Sequence, residues 1–320
     1  MNGVIRIGVV GTGNMGRNYV RILSNEKNLF SFMSIYDTSI ERATFLSDIY
    51  GVKIAPDYES LLDEVDAVVI AAPSSLHRDL GLIAAKKGIH ALIEKPLAMN
   101  SVEAFELCEA YKKSGKTLLV GHVERFNPVV GELKKILFNK QIIAINAKRY
   151  SSFDERMKDT DVVFDLMIHD IDLVCNLLCG TSVKSINSVG SKVVTKVYDF
   201  VESIIKFNDG TIAGISASRV SETKVREILV HTSDSYIVAD LLGKTLNITK
   251  NVNMVVDAGN SFTYRQDSLS QRVFVPIIEP LVAELYHFAD CINEGTAAFI
   301  SGKDALKAIE IAERIISTVK

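Results

Sequence analysis

Two stretches of this 320-residue chain could move a proton. In the first, Glu94 and Lys95 close the apolar run His90–Ile93 and are followed by Pro96. A charged pair there is hard to reconcile with packing, because buried charges are costly unless paired. Partial desolvation lowers the pKa of a lysine, so Lys95 could orient a substrate hydroxyl and ease its deprotonation. Pro96 fixes the chain just beyond it. In the second stretch, Asp165, His169, Asp172 and Asn176 fall at i, i+4, i+7 and i+11, one face of a helix. Their neighbours Val162, Val163, Phe164, Leu166, Met167, Ile168, Leu173 and Val174 are apolar. Such a helix is largely buried, and its polar stripe must face a cavity, water or a polar partner. Histidine exchanges a proton near neutral pH, and a carboxylate one turn away orients it or binds substrate beside it. Asp165 and His169 could also chelate, but no third ligand is evident, so no metal is expected.

A third stretch could hold a cofactor. The β-branched run Val4–Val10 leads into Gly11-Thr12-Gly13-Asn14-Met15-Gly16, and Arg17–Leu23 then reads as helix. In a strand–turn–helix unit the first glycine makes the turn and the second admits a pyrophosphate. The third lets helix and strand pack closely, with phosphates at the helix N-terminus. Met33–Asp37 reads as a second strand ending in an acid about 20 residues past the glycines, where a carboxylate takes the adenosine ribose. Asp37 therefore argues for NAD, while Thr38, Ser39 and Arg42 leave NADP open. Ligands of open α/β sheets bind beyond the carboxyl ends of the strands. The turn Ala71–His77 is such an end, and Ala72, Pro73, Ser74 and His77 are expected at the cofactor, as are Glu94 and Lys95. Gly121–Pro128 ends another, at the expected domain junction. It offers His122 and Arg125 to nicotinamide or to an anionic substrate group. Arg149 and Arg219 end later strands, and either could bind a phosphate or carboxylate.

These residues need elements to hold them. Strands alternate with helices Ile40–Tyr50, His77–Lys87 and Ser101–Ser114, the last with Ser101 read as its N-cap. The alternation predicts a doubly wound parallel sheet, an N-terminal Rossmann domain over residues 1–121. Residues 122–320 have another rhythm. After helix Asn127–Phe138, strand Ile142–Tyr150 and one continuous helix Val162–Cys179 come Val183–Val194, Ser203–Phe207, Thr211–Ser218, Val225–Thr232 and Ser235–Asp240. Asn208-Asp209-Gly210 signals a hairpin between two of them. This predicts an α+β domain with one broad, largely antiparallel sheet, followed by helices Leu281–Asn293 and Lys303–Val319, for which packing back on the first domain is left open.

The net charge of −3 offers no footprint for nucleic acid or an anionic membrane. No apolar run reaches a membrane span, and Met1-Asn2-Gly3 leads into a strand without a signal peptide. Cys108, Cys175, Cys179 and Cys291 are scattered, as in reduced cytoplasmic proteins.

In this order the motifs resemble the Gfo/Idh/MocA oxidoreductases, which include glucose–fructose oxidoreductase and inositol 2-dehydrogenase. The resemblance covers nearly the whole chain. It rests on Gly11–Gly16, Glu94-Lys95-Pro96, Asp165-x-x-x-His169 and the tail segments Pro280–Phe288 and Ser301–Ala305. It implies that Lys95, Asp165 and His169 form the catalytic group beside nicotinamide C4, in a cleft between the domains. Gly121–Pro128 is similar to the branch that oxidises the 3-hydroxyl of UDP-N-acetylglucosamine-type sugars. The function implied is NAD(P)-dependent oxidation of a secondary hydroxyl of a sugar or nucleotide sugar, with His122, Arg125 and Arg149 on the substrate. An inositol or free-sugar dehydrogenase and an idle NAD-binding sensor are the alternatives. The resemblance and the apolar run Thr211–Ser218 also imply a homodimer or homotetramer.

Overall fold

The β-branched runs of the first third, too short to be helices, form one parallel sheet. In the computed structural model, which describes residues 3–155, 158–257 and 262–320, these are β1 (Ile5–Val10), β2 (Phe30–Tyr36), β3 (Lys53–Ile54), β4 (Ala67–Ile70), β5 (His90–Glu94) and β6 (Leu118–Gly121). Met1 and Asn2 lie outside the described residues. The order is β3-β2-β1-β4-β5-β6 with every pairing parallel, the doubly wound arrangement whose strand order reverses between β1 and β4. Ile7, Val9, Val68 and Val69 are wholly buried, as strands covered on both faces require.

Five helices separate the strands: α1 (Asn14–Asn25), α2 (Ile40–Tyr50), α3 (Tyr58–Asp63), α4 (His77–Lys87) and α5 (Ser101–Ser114). Gly51, Gly88 and Gly115 end α2, α4 and α5 with left-handed φ of 66°, 73° and 66°, a conformation glycine adopts at no steric cost. The cap of α5 is Asn100 rather than Ser101. Its side-chain oxygen accepts from the Glu103 N–H at 2.9 Å, and Ser101 is the first helical residue.

Residues 1–123 and 279–310 form one compact unit, and residues 124–278 and 311–320 form another. The first unit therefore includes α8 (Pro280–Glu294) and most of α9 (Gly302–Thr318). There the Val120 N–H donates to the Ile300 carbonyl at 3.3 Å, and Leu119 bridges Ser301.

The second unit holds α6 (Pro128–Leu137), β7 (Ile142–Tyr150), a π-helical turn (Val163–Met167), α7 (Ile168–Leu177) and strands β8 (Val183–Ser191), β9 (Phe200–Phe207), β10 (Ile212–Ser218), β11 (Val225–Thr232), β12 (Tyr236–Asp240), β13 (Thr245–Asp257) and β14 (Phe262–Arg272). Its sheet runs β14-β13-β12-β11-β7-β10-β9-β8 and is antiparallel except where β7 meets β10. Gly210, at φ 94°, turns the expected hairpin between β9 and β10. Two expectations for this unit differ from what the chain does. The helix Val162–Cys179 is broken by the π turn and stops at Leu177. Strand β8 ends at Ser191, because Asp199 Oδ2 accepts the N–H groups of Val193 and Val194 at 2.6 and 2.7 Å and curls the chain. Strands β13 and β14 had no expectation at all. Their Asn, Lys, Gln and Asp content depresses strand propensity, and only pairing with each other and β12 makes them strands. Among the described residues no helix is long and apolar enough to cross a membrane.

Buried ion pairs fix α7 in this unit. Arg125 donates to both oxygens of Asp172 at 2.7 and 2.5 Å, with both side chains almost wholly buried. Removing one partner of such a pair strands a buried charge. Arg125→Ala is therefore expected to lower stability in urea unfolding by about 3–5 kcal/mol, and the apolar pair Arg125→Met/Asp172→Leu to recover most of it. A loss below about 1 kcal/mol for the single change would show that the pair contributes no more than a surface bridge.

Candidate cofactor site and active-site groups

At the reversal between β1 and β4 the backbone is packed as tightly as a chain allows. A Cβ on Gly16 would lie 1.9 Å from the Gly11 carbonyl oxygen, and one on Gly11 would lie 2.6 Å from backbone atoms of Ala71 and Ala72. Neither position admits a side chain. Gly13 differs, since a Cβ there would have no described heavy atom within 4 Å. It is the N-cap of α1, and no side-chain hydrogen bond caps that helix end among the described residues. The first N–H groups of a helix need acceptors, and an open helix N-terminus behind a bare glycine suits a pyrophosphate.

Beside this turn lies a cavity of about 620 Å³ whose walls include Gly11, Asp37, Arg42, Ala72 and Pro73. These residues follow β1, β2 and β4 or open α2, so the cavity sits at the carboxyl edge of the sheet. Asp37 lines it, but protein donors already reach its carboxylate. Oδ2 accepts from the Thr12 N–H and hydroxyl, both at 2.7 Å. Oδ1 accepts from the Ser39 N–H at 2.7 Å and from Arg42 at 2.9 Å. Burial pulls the Asp37 pKa upward, yet the hydrogen bonds from Arg42, Thr12 and Ser39 outweigh it and hold the value at about 2. Asp37 thus ties the glycine turn to the end of β2 as well as facing the cavity. The residues fit a dinucleotide: the bare turn for pyrophosphate, the Asp37 edge for the adenosine ribose.

Further along the same edge the side chains divide. Ser74 is half-buried and Pro73 exposed on the turn after β4. His77 is wholly buried. Its ring nitrogens lie 2.8 Å from the Pro96 carbonyl and 2.9 Å from the Ala72 carbonyl, and burial, the largest influence, keeps its pKa below the usual value. His77 therefore braces the turns after β4 and β5, and what it gives a cofactor is their shape. Glu94, expected at the cofactor, turns inward, with Oε1 accepting from the Tyr19 hydroxyl at 2.8 Å. Lys95 is half-buried at the end of β5 and precedes a cis proline. His122, expected on substrate, is 1 % exposed.

The second unit carries its own cavity, of about 430 Å³, lined by Asp165, Arg149, Arg219, Lys224, Arg226 and Phe153 among others. Asp165 reaches it from the π turn. One extra residue per turn breaks the regular face predicted for the helix, so the stripe splits. Asp165 lines the cavity, His169 is half-buried, Asp172 is paired with Arg125, and Asn176 accepts from Lys134 at 3.3 Å. Arg125, expected on substrate, is thus held in the core. Arg149 lines the cavity, but Asp170 takes its Nε and one terminal nitrogen at 2.9 and 3.0 Å, and Glu124 takes the other at 3.0 Å. Arg226 also bonds Glu124, at 3.0 Å. Arg219 is clamped by Asp199 at 2.8 Å and lies over the Phe153 ring. Asp170, Glu124, Lys224 and Arg226 escaped sequence reasoning. The helical spacing favoured Asp172 over Asp170, and nothing in the sequence distinguishes Lys224 and Arg226 from surface charge at a strand start.

A doubly wound sheet with a bare glycine turn at its reversal defines a dinucleotide-binding enzyme. Residues 5–122 match the model described as an oxidoreductase family with an NAD-binding Rossmann fold, and residues 141–238 match the GFO/IDH/MocA C-terminal domain. The chain belongs to the Gfo/Idh/MocA oxidoreductases. It is 33% identical over 244 residues to the UDP-N-acetylglucosamine 3-dehydrogenase of Acidithiobacillus ferrooxidans, covering 76% of each chain. The solved structure of that enzyme superposes with a TM-score of 0.88 over 99% of this chain and 98% of its own. It is 26% identical to the scyllo-inositol 2-dehydrogenase (NAD(+)) of Bacillus subtilis over 96% of this chain and 92% of that one. GenD2 from gentamicin A biosynthesis, solved with NAD, shares the fold at a TM-score of 0.83 and 18% identity, covering 98% and 94%. The protein is therefore an NAD-binding oxidoreductase of this family.

Asp37→Ala removes the carboxylate and releases Arg42 toward the cavity. The ratio of kcat/KM with NAD to that with NADP is expected to fall at least about tenfold. An unchanged ratio would show that Asp37 serves the turn and not the cofactor.

Proposed function

We propose that the protein oxidises a secondary hydroxyl of a nucleotide sugar of the UDP-N-acetylglucosamine type. The observation that carries this reading is the second unit's cavity, where Asp165 stands among Arg149, Arg219, Lys224 and Arg226. A carboxylate suits sugar hydroxyls, and Lys224 with the half-exposed Arg226, the more accessible cations of that cavity, suits a diphosphate. The similarity to the Acidithiobacillus enzyme supports the same substrate class. The similarity to scyllo-inositol 2-dehydrogenase along almost the whole chain favours an inositol or free sugar as the second reading.

In this mechanism His169 takes the hydroxyl proton, the basic role an imidazole fills near neutral pH. Lys95 polarises the same oxygen and shares the proton. Asp165 orients the pair or binds a neighbouring hydroxyl. Gly11–Gly16 and the Asp37 edge hold NAD, which when bound supplies the hydride acceptor. Positioning the reacting groups provides much of the acceleration. A second copy of the chain would cover the open face of the broad sheet, where Val189, Ile204 and Ile212 are exposed.

Lys95→Ala and His169→Ala should each retain NAD binding by calorimetry and lose turnover by at least about 10²-fold, the scale of a lost proton-transfer group. Near-normal turnover in either would sink the assignment. A panel of UDP-sugars, free sugars and inositols, followed by reduced-nicotinamide absorbance, decides the substrate. Turnover of inositols alone would favour the second reading.

A further inference from the structure

The first unit contains a buried polar cluster that none of the roles above uses. Tyr19 on α1 places its hydroxyl 2.8 Å from Glu94 Oε1 and 2.8 Å from Glu284 Oε2 on α8. Tyr19 and Glu284 are 0 % exposed and Glu94 6 %. A phenol has one hydrogen and donates once. It can satisfy only one of the two contacts, and the other oxygen pair needs a second proton. Two carboxylates and a phenol cannot supply it; a carboxylic acid can.

The surroundings decide which glutamate is the acid. Burial raises the Glu94 pKa, but the Tyr19 hydroxyl, the Lys95 charge and the Lys95 N–H, which donates to Glu94 Oε2 at 3.2 Å, all oppose that rise, whereas Glu284 has only Tyr19 to oppose its own. Glu284 Oε1 has no hydrogen-bond partner among the described residues. An unsatisfied carbonyl oxygen is tolerable where an unsatisfied carboxylate is not. We propose that the cluster carries a single negative charge on Glu94, that Glu284 is a neutral acid donating to Tyr19, and that Glu94 is a positioning residue for Lys95. The proton order is Glu284 Oε2–H to Tyr19 Oη, then Tyr19 Oη–H to Glu94 Oε1. Burial, followed by the Glu94 charge, pushes the Glu284 carboxyl well above the usual range, consistent with this order. The charged and titratable groups facing the cluster are Tyr19 from α1, Lys95 from the end of β5 and Glu284 from α8, with His77 of α4 facing Lys95. Gly121 on β6 closes the other side, where a Cβ would stand 3.0 Å from the Glu94 carboxyl carbon.

The effect on Lys95 rests on its proposed catalytic role; the charge count does not. Infrared spectroscopy of the full-length protein with NAD, at about pH 7 where free glutamate is ionised, reads the count without turnover. The wild-type minus Glu284→Gln difference spectrum is expected to contain the C=O stretch of a protonated carboxyl, and Tyr19→Phe to shift that band. Carboxylate bands alone in the difference spectrum, or a protonated band indifferent to both substitutions, would overturn the proposal. Stability gives a second reading. A neutral buried acid favours folding below its unfolded pKa, and that contribution is lost as pH rises. Glu284→Gln should therefore gain on wild type as pH increases, and a constant difference would count against a neutral Glu284. For the coupling, Glu94→Gln should move the basic limb of the kcat/KM profile down by about one pH unit while Glu284→Gln leaves it in place. Equal shifts in both variants would place charge on both glutamates and overturn the assignment. Should Lys95→Ala stay active while the infrared band behaves as expected, the catalytic reading fails and the charge count stands.

Discussion

The carbonyl of Gly11 and the Cα of Gly16 stand so close that no methyl group fits between them. That approach fixes the first unit. It presses α1 onto the turn after β1 and leaves the helix N-terminus bare at Gly13. It also carries Tyr19, one turn further along α1, into the core beneath the sheet edge. Asp37 then locks the turn from the other side through Thr12. A single residue thus joins the shape of the cradle to its proposed choice of ribose, because the donors that shape the turn also keep the carboxylate ionised. His77 plays a comparable part between the turns after β4 and β5, where its ring lies between the carbonyls of Ala72 and Pro96 and its single N–H donates to one of them.

The second unit solves its positioning problem with buried charge. Arg149, Glu124, Asp170 and Arg226 form one connected set, and Arg125 with Asp172 another. Such sets lend little net stability compared with an apolar core, but they tolerate few alternative arrangements. They pin α7 and β7 around a cavity whose lining includes Asp165. The same arginines that wall the cavity are therefore unavailable as loose anion binders, which leaves Lys224 and the half-exposed Arg226 as its more accessible cations.

Local signals made the first unit readable. Glycine spacing, caps and short apolar runs located the strands other than the two-residue β3 and the bounds of α2, α4 and α5, and the same glycines located the cradle. What could not be read was which polar residues face each other across elements. No local pattern singles out Tyr19 or Glu284 from other residues of their helices. Their meeting depends on α8 packing beside α1, a contact more than 260 residues apart in sequence. Periodicity likewise placed Asp165, His169, Asp172 and Asn176 on one stripe, but it assumes a regular helix. Arg125 and Arg149 looked like substrate ligands because their carboxylate partners lie on other elements. Strands β13 and β14 were invisible because their strand character comes from pairing and not from composition.

The π turn at Val163–Met167 amounts to an α-helix carrying one residue too many. Each residue of a regular helix turns the chain by about 100°, so the surplus residue acts as a rotational offset between Asp165 and everything after Ile168. The proposed base and the carboxylate proposed to orient it are thus aimed independently. Helix α7 sets the direction of His169, and the bulge sets that of Asp165. A lineage could retune the carboxylate for a different ring hydroxyl by gaining or losing a residue in this turn, without disturbing the salt-bridged helix behind it.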